Sequence, residues 1–153
     1  MSLKGTLLKN PSGIKILYAE DNPADAEMTL RAFKNQKLLS SVVWVKNGEE
    51  AIDYLFREGL FEGRAEGHPN LVLLDLKMPK VNGLEVLRRI RAAPELKFIP
   101  VVILTSSPDE IDIVRSYELG VNSYIAKPVN LGNFTETVKE LGMYWILKNL
   151  NVP

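Results

Sequence analysis

Polar side chains of complementary chemistry stand at the ends of four apolar runs in this sequence. They comprise three carboxylates, two hydroxyls and an ammonium, from Glu20, Asp21, Asp75, Thr105, Ser106 and Lys127. Ligation by carboxylate oxygens alone excludes soft metals and suits Mg²⁺, which binds one or two carboxylates together with waters or phosphate oxygens. One divalent cation and the lysine would balance the three negative charges. The residue types therefore indicate a magnesium site.

Each of these residues also has a simpler interpretation. Asp21 could cap a helix, Asp75 could be a turn residue, and Lys127 could be an ordinary surface lysine. Glu20 could be a solvated strand end, and Thr105 a β-branched residue that favours a strand. The metal-site interpretation depends on whether the fold brings these side chains to one place.

Five short apolar runs predict the strands of a sheet. They span Ile14–Ala19, Val42–Lys46, Leu71–Asp75, Pro100–Thr105 and Ser123–Ala126. The third and fourth runs are apolar on consecutive residues, as expected for central parallel strands that are covered on both faces. Helix-like segments separate the runs, which favours a three-layer α/β fold, a doubly wound parallel sheet. In such a sheet ligands bind outside the carboxyl ends of the strands, where these polar residues stand.

Helix starts follow the same order along the chain. A capping residue precedes each of four predicted helices, at Asn22, Asn47, Asn82 and Ser107. The last three are followed three residues later by a glutamate, which is typical of a capping box. We expect Gly120 to end the fourth helix. The fifth helix is predicted from Leu131 to Asn149, because apolar residues recur at intervals of three and four.

Composition excludes several classes of function. The 153 residues predict a single domain, with residues 1–13 as an N-terminal extension and residues 14–150 as the folded domain. The absence of cysteine and the single histidine, His68, exclude disulfides, thiol nucleophiles and histidine-rich metal sites. Lys plus Arg and Asp plus Glu number 19 each, which argues against binding to nucleic acid or to an anionic membrane. We expect a cytoplasmic protein without a signal peptide or membrane span.

The combined motifs resemble the receiver domain of two-component response regulators. The resemblance is carried by Glu20-Asp21, by 73–79 with Gly83, by 104–106 and by 124–128. Thr105 lies 30 residues and Lys127 lies 52 residues beyond Asp75, as in that family. The segments 57–70 and 116–124 resemble stand-alone regulators that pair with bacterial phytochromes. The resemblance implies a flavodoxin-like fold with five parallel strands in the order 2-1-3-4-5 and helices on both faces.

The resemblance also implies a role for each candidate residue. Asp75 would accept a phosphoryl group from a histidine kinase, with Mg²⁺ bound by Asp21, Asp75 and the backbone carbonyl of Lys77 and through water by Glu20. Thr105, the amide of Ser106 and Lys127 would contact phosphoryl oxygens, and Lys77 and Ser107 would tune the phosphoryl lifetime. The bond preceding Pro128 would be cis. Thr105 and Tyr124 would switch the surface of helix 4, strand 5 and helix 5.

The partners implied are a sensor histidine kinase, with a bacterial phytochrome as the candidate, and an unknown downstream protein. The apolar end of the last helix, Tyr144 to Leu147, either packs on the N-terminal extension or forms a contact with a partner or a second copy. We expect a switch and no turnover enzyme. Two alternatives are an aspartyl-phosphate phosphatase, which usually carries a second aspartate where Lys77 stands, and a phosphate-independent scaffold.

Overall fold

The computed structural model describes residues 14–34, 36–65, 67–148 and 150. Five parallel strands form one sheet, in the order β2-β1-β3-β4-β5. Their bounds are β1 Ile16–Ala19, β2 Val42–Val45, β3 Leu71–Asp75, β4 Val101–Thr105 and β5 Ser123–Ala126. The predicted strands and their order are confirmed. The predicted N-terminal extension, residues 1–13, lies outside the described residues, and the domain boundary at residue 14 stays a prediction.

Helices alternate with the strands and cover both faces of the sheet. Their bounds are α1 Pro23–Ala32, α2 Gly48–Phe56, α3 Gly83–Ala92, α4 Pro108–Ser116, α5 Leu131–Glu140 and α6 Tyr144–Leu147. Two 3₁₀ turns, Lys37–Ser41 and Gly59–Phe61, lie in the connections. No helix in the described part of the chain is both long and apolar enough to cross a membrane.

Alternate residues of the strands point to opposite faces of the sheet and pack in two separate apolar cores. Leu17, Leu74 and Ile103 pack beneath α2 and α3, whereas Tyr18 and Leu104 pack beneath α1 and α5 on the opposite face. Every residue of β3 and β4 is buried, as the continuous apolar runs predicted. Because both faces are filled, the strand ends form a rigid edge that fixes the residues that follow them.

The fifth helix is shorter than predicted. It ends at Glu140, and Gly142 adopts a φ of +72°, a left-handed conformation that favours glycine. The amides of Gly142 and Met143 donate to the carbonyls of Lys139 and Val138, which is the hydrogen-bond pattern of a Schellman C-cap. The apolar residues beyond this point belong to the separate helix α6.

The dimer surface predicted at the end of this helix is partly wrong. Ile146 is fully buried in the chain's own core, and Leu147 packs against that core, so Ile146 cannot face a second copy. Tyr144 and Trp145 remain 61% and 44% exposed.

The fourth helix also differs from its prediction at both ends. It ends at Ser116, and the first left-handed residue after it is Glu118, with a φ of +50°. Gly120, which is also left-handed with a φ of +67°, lies in the following loop. At its start, Ser107 occupies the capping position but its side chain makes no capping hydrogen bond. Asn22, Asn47 and Asn82 do cap their helices as predicted.

Candidate functional site

Three carboxylates meet at the carboxyl edge of the sheet. Glu20 follows β1 directly, Asp21 is the next residue, and Asp75 is the last residue of the adjacent strand β3. One oxygen from each carboxylate lies within 4.8 Å of an oxygen from the others. Glu20 and Asp75 are buried and Asp21 is exposed, so the cluster opens to solvent on one side.

Lys127, which follows β5, reaches across the sheet edge into this cluster. Its Nζ lies 2.8 Å from Asp75 Oδ2 and 3.1 Å from Glu20 Oε1. It also lies 3.4 Å from Asp25 Oδ2. Asp25, in the first turn of α1, is a fourth carboxylate that the sequence analysis did not include.

The local charge is strongly negative. Four carboxylates share one ammonium group among the described residues of this cluster. Burial, a side-chain hydrogen bond with Asp75 and the charge of Asp75 raise the pKa of Glu20 to about 7. Burial lowers the pKa of Lys127, but its hydrogen bond with Asp75 and the charges of Asp75 and Glu20 outweigh burial and raise it. Lys127 therefore stays charged, and the cluster still lacks positive charge.

The residues present fit a hard divalent cation. Glu20 Oε2 accepts a hydrogen bond from the amide of Asn22 at 3.2 Å, but Glu20 Oε1 is buried without a hydrogen-bond partner. Lys127 lies at ion-pair distance from this oxygen without hydrogen-bond geometry. A buried carboxylate oxygen without a donor is costly, and a cation or its bound water would satisfy it.

Thr105 and Ser106 border the cluster at the end of β4. Thr105 is buried, and with Ser106 and Lys127 it lines a cavity of about 170 Å³. The backbone carbonyl of Thr105 accepts a hydrogen bond from the amide of Lys127 at 2.9 Å, which fixes the lysine beside the threonine. The amide of Ser106 donates to the buried carboxylate of Glu110, a contact that the sequence analysis did not predict.

Comparison with known proteins identifies the family. Residues 16–139 match the model of the response regulator receiver domain. This chain belongs to that family.

Two curated relatives align with nearly the whole receiver. A probable methanogenesis regulatory protein, FilR2 of Methanothrix harundinacea, is 40% identical over 93% of this chain and 90% of its own length. The response regulator Rcp1 of Synechocystis is 38% identical over 94% of this chain and 95% of its own length.

Solved structures of response regulators share the fold of this receiver. The bacteriophytochrome response regulator RtBRR is 51% identical, with a TM-score of 0.81 over 92% of this chain and 84% of its own. A manganese-bound form of Rcp1 is 37% identical, with a TM-score of 0.68 over 92% and 99%. A phosphorylated cyanobacterial phytochrome response regulator, RcpA, is 40% identical, with a TM-score of 0.69 over 92% and 100%.

The remaining predicted residues of the receiver differ in how far their side chains are buried. Lys77 is exposed, with its Nζ 3.8 Å from Glu110 Oε2, and Ser107 is half-buried. Tyr124 on β5 is half-buried, and the guanidinium of Arg115 lies 5.5 Å from the centre of its ring. The peptide bond between Lys127 and Pro128 is cis.

We expect the Glu20 carboxyl of the metal-free receiver to make stability depend on pH. Its pKa of about 7 in the folded state exceeds the ordinary value of 4.5, so the folded state holds a proton that the unfolded chain has lost between these values. This group's contribution to stability is therefore lost as pH rises through that window, at no more than about 1.4 kcal/mol per pH unit.

The measurement is urea unfolding with a chelator present at several pH values, for the wild type and for Glu20→Gln. We expect the variant to gain stability relative to the wild type as pH rises from the lower to the upper end of the window. A constant difference between the two proteins would contradict the raised pKa.

Proposed function

We propose that this receiver is a phosphorylation-dependent switch in which Asp75 accepts a phosphoryl group from the phosphohistidine of a histidine kinase. The observation that carries the proposal is the Asp75 carboxylate, buried at the sheet edge within 2.8 Å of the Lys127 ammonium and within 4.8 Å of two further carboxylates. A nucleophile, a fixed cation and an oxygen-rich cation site thus lie together.

In the transfer, a carboxylate oxygen of Asp75 attacks phosphorus as the bond from phosphorus to the kinase imidazole breaks. The imidazole keeps the electron pair of the broken bond, and a mixed anhydride forms on Asp75. The ammonium of Lys127 stays beside the acceptor and neutralises a phosphoryl oxygen. This step brings like charges together, and the half-buried ammonium of Lys127 lowers its barrier most when water is excluded.

Mg²⁺ is the ion that we assign to the acidic cluster. Asp21 and Asp75 would hold it together with the backbone carbonyl of Lys77, and Glu20 would act through water. When bound, the ion supplies positive charge that offsets repulsion between the carboxylate and the phosphoryl group. The oxygen-only donor set supports a hard cation, and the manganese-bound structure of the relative Rcp1 is consistent with a divalent one.

Signal output in this proposal is a change at the surface formed by α4, β5 and α5. Thr105 and the amide of Ser106 would bind phosphoryl oxygens, and Tyr124 would turn inward as Thr105 moves. Lys77 and Ser107, on either side of the path of a hydrolytic water, would set the phosphoryl lifetime. The resting and the switched conformations are in equilibrium, and phosphorylation shifts this equilibrium because the phosphoryl group makes more favourable contacts in the switched conformation.

The kinase that we propose as donor is a bacterial phytochrome. The support is the 51% identity with the bacteriophytochrome regulator RtBRR. The downstream partner is a protein of unknown identity, and the cytoplasmic location and the absence of turnover stay predictions. A homodimer would use the exposed side chains of Tyr144 and Trp145, without Ile146.

The test is incubation of the purified receiver with acetyl phosphate, with and without Mg²⁺. We expect hydroxylamine-labile phosphate on the protein only when Mg²⁺ is present, because the carboxylates repel the donor without it. The phosphate content and the intact mass are measured after removal of the donor. Absence of labelling under both conditions, or equal labelling without the cation, would overturn the proposal.

A further inference from the structure

One backbone amide of this site is already taken by a side chain. The N–H of Ser106 donates to Glu110 Oε1 over 2.6 Å, and Glu110 is only 6% exposed although it carries a carboxylate. The same N–H is the group that the proposed function assigns to a phosphoryl oxygen. An amide has a single hydrogen to donate, so these two anionic acceptors compete for it.

The bond to Glu110 is strong enough to matter. A short hydrogen bond to a carboxylate contributes roughly twice as much as a neutral one, and burial strengthens it further. The other oxygen of Glu110 has Lys77 Nζ at 3.8 Å, and that lysine side chain is 82% exposed. Once Ser106 is withdrawn, the carboxylate still has this exposed ammonium beside it.

Glu110 also connects this amide to the proposed output surface. It lies in the first turn of α4, and Arg115 on the same helix contacts the ring of Tyr124. Ser107, the residue at the capping position of α4, contributes no side-chain capping bond. The Glu110 carboxylate thus ties the start of α4 to the residue that follows β4.

We propose that Glu110 is a positioning residue that holds the Ser106 amide in the unphosphorylated form and competes with the phosphoryl group for it. On phosphorylation the Ser106 N–H exchanges its acceptor, from Glu110 to a phosphoryl oxygen. This exchange frees the carboxylate and the start of α4. The free energy of the hydrogen bond between Ser106 and Glu110 thereby opposes the binding of the phosphoryl group and sets the equilibrium between the two conformations. This inference rests on the proposed function of Asp75.

The variant that tests it is Glu110→Gln, which keeps the size and an acceptor oxygen but removes the charge. The matched control is Asp109→Asn, which removes a charge from the neighbouring exposed position in the same turn. The probe is beryllium fluoride with Mg²⁺, which mimics a phosphoryl group on a carboxylate. Binding is titrated by the amide signals in ¹H–¹⁵N NMR spectra.

We expect Glu110→Gln to bind the probe about fivefold more tightly than the wild type, as the weaker neutral acceptor implies. Asp109→Asn should bind it as the wild type does. The Ser106 amide signal should move on binding in the wild type, and it should already be shifted in the free Glu110→Gln variant.

The outcomes separate this inference from the proposed function. If the wild type fails to bind the probe in the presence of Mg²⁺, the proposed function fails. If the wild type binds it and Glu110→Gln has unchanged affinity, only the competition is overturned, and Glu110 merely caps α4. An equal gain in Asp109→Asn would also overturn it, because the effect would then come from the overall charge of the turn.

Discussion

Asp75→Asn is expected to take up no hydroxylamine-labile phosphate from acetyl phosphate under conditions that label the wild type. An amide is not a nucleophile toward phosphorus, and Asp75 is the carboxylate of the cluster whose oxygen lies nearest the Lys127 ammonium. Asp75 lies beside the Lys127 ammonium, whereas Asp21 is exposed. Labelling of the variant to the wild-type extent would show that another residue is the acceptor.

The same substitution should leave the fold intact. Asparagine has the size of aspartate and its oxygen can still accept from Lys127, which keeps its ion pairs with Glu20 and Asp25. The variant also removes one of four clustered negative charges, so the metal-free protein should unfold at an unchanged or higher temperature.

Mg²⁺ should distinguish the two proteins in the same melting experiment. At about 100 times its Kd, a cation stabilises a protein by about 2.7 kcal/mol, and Asp75→Asn should lose most of that gain. Asp112→Asn, an exposed change on α4, should behave as the wild type in labelling and in melting. Unfolding of the metal-free Asp75→Asn variant would mean that loss of labelling reports misfolding instead.

The sheet and the acidic cluster could be predicted because few strand arrangements are compatible with the apolar pattern of the sequence. Continuous apolar runs at Leu71–Asp75 and Pro100–Thr105 require cover on both faces, so these strands had to be central. Once the strands are parallel, topology alone brings their carboxyl ends to one edge. Asp75 and Lys127 meet there although 52 residues separate them.

The contacts of Asp25 and Glu110 were missed for a physical reason. Each lies in the first turn of a helix, where an acidic residue is expected in any case because of the helix dipole. Whether such a side chain turns toward solvent or toward the sheet edge depends on rotamer and on helix orientation. Neither is set by the residue pattern. Gly142, in contrast, was a visible signal for the end of the fifth helix, and the apolar spacing across it obscured that end.

Gly83 illustrates how closely the backbone supports the acceptor. It is the first residue of α3, and its amide donates to the carbonyl of Leu76 at 2.8 Å. A Cβ atom at this position would lie 2.2 Å from the backbone oxygen of Asp75 and 2.9 Å from the Cα of Leu76. Both atoms belong to backbone held by the central strand, so they cannot move aside as a flexible side chain would.

Gly83→Ala is therefore expected to destabilise the protein by about 3 kcal/mol, because α3 and the end of β3 must separate. The loss should exceed the gain of about 1 kcal/mol that alanine brings by restricting the unfolded chain. Displacement of Asp75 from Lys127 should also slow labelling by acetyl phosphate by about 100-fold. Gly63→Ala, whose Cβ would meet no atom within 4 Å, is the control and should stay within about 0.5 kcal/mol of the wild type. Urea unfolding and labelling rates measure both effects, and equal stability of the two variants would contradict the close approach of α3 to the acceptor.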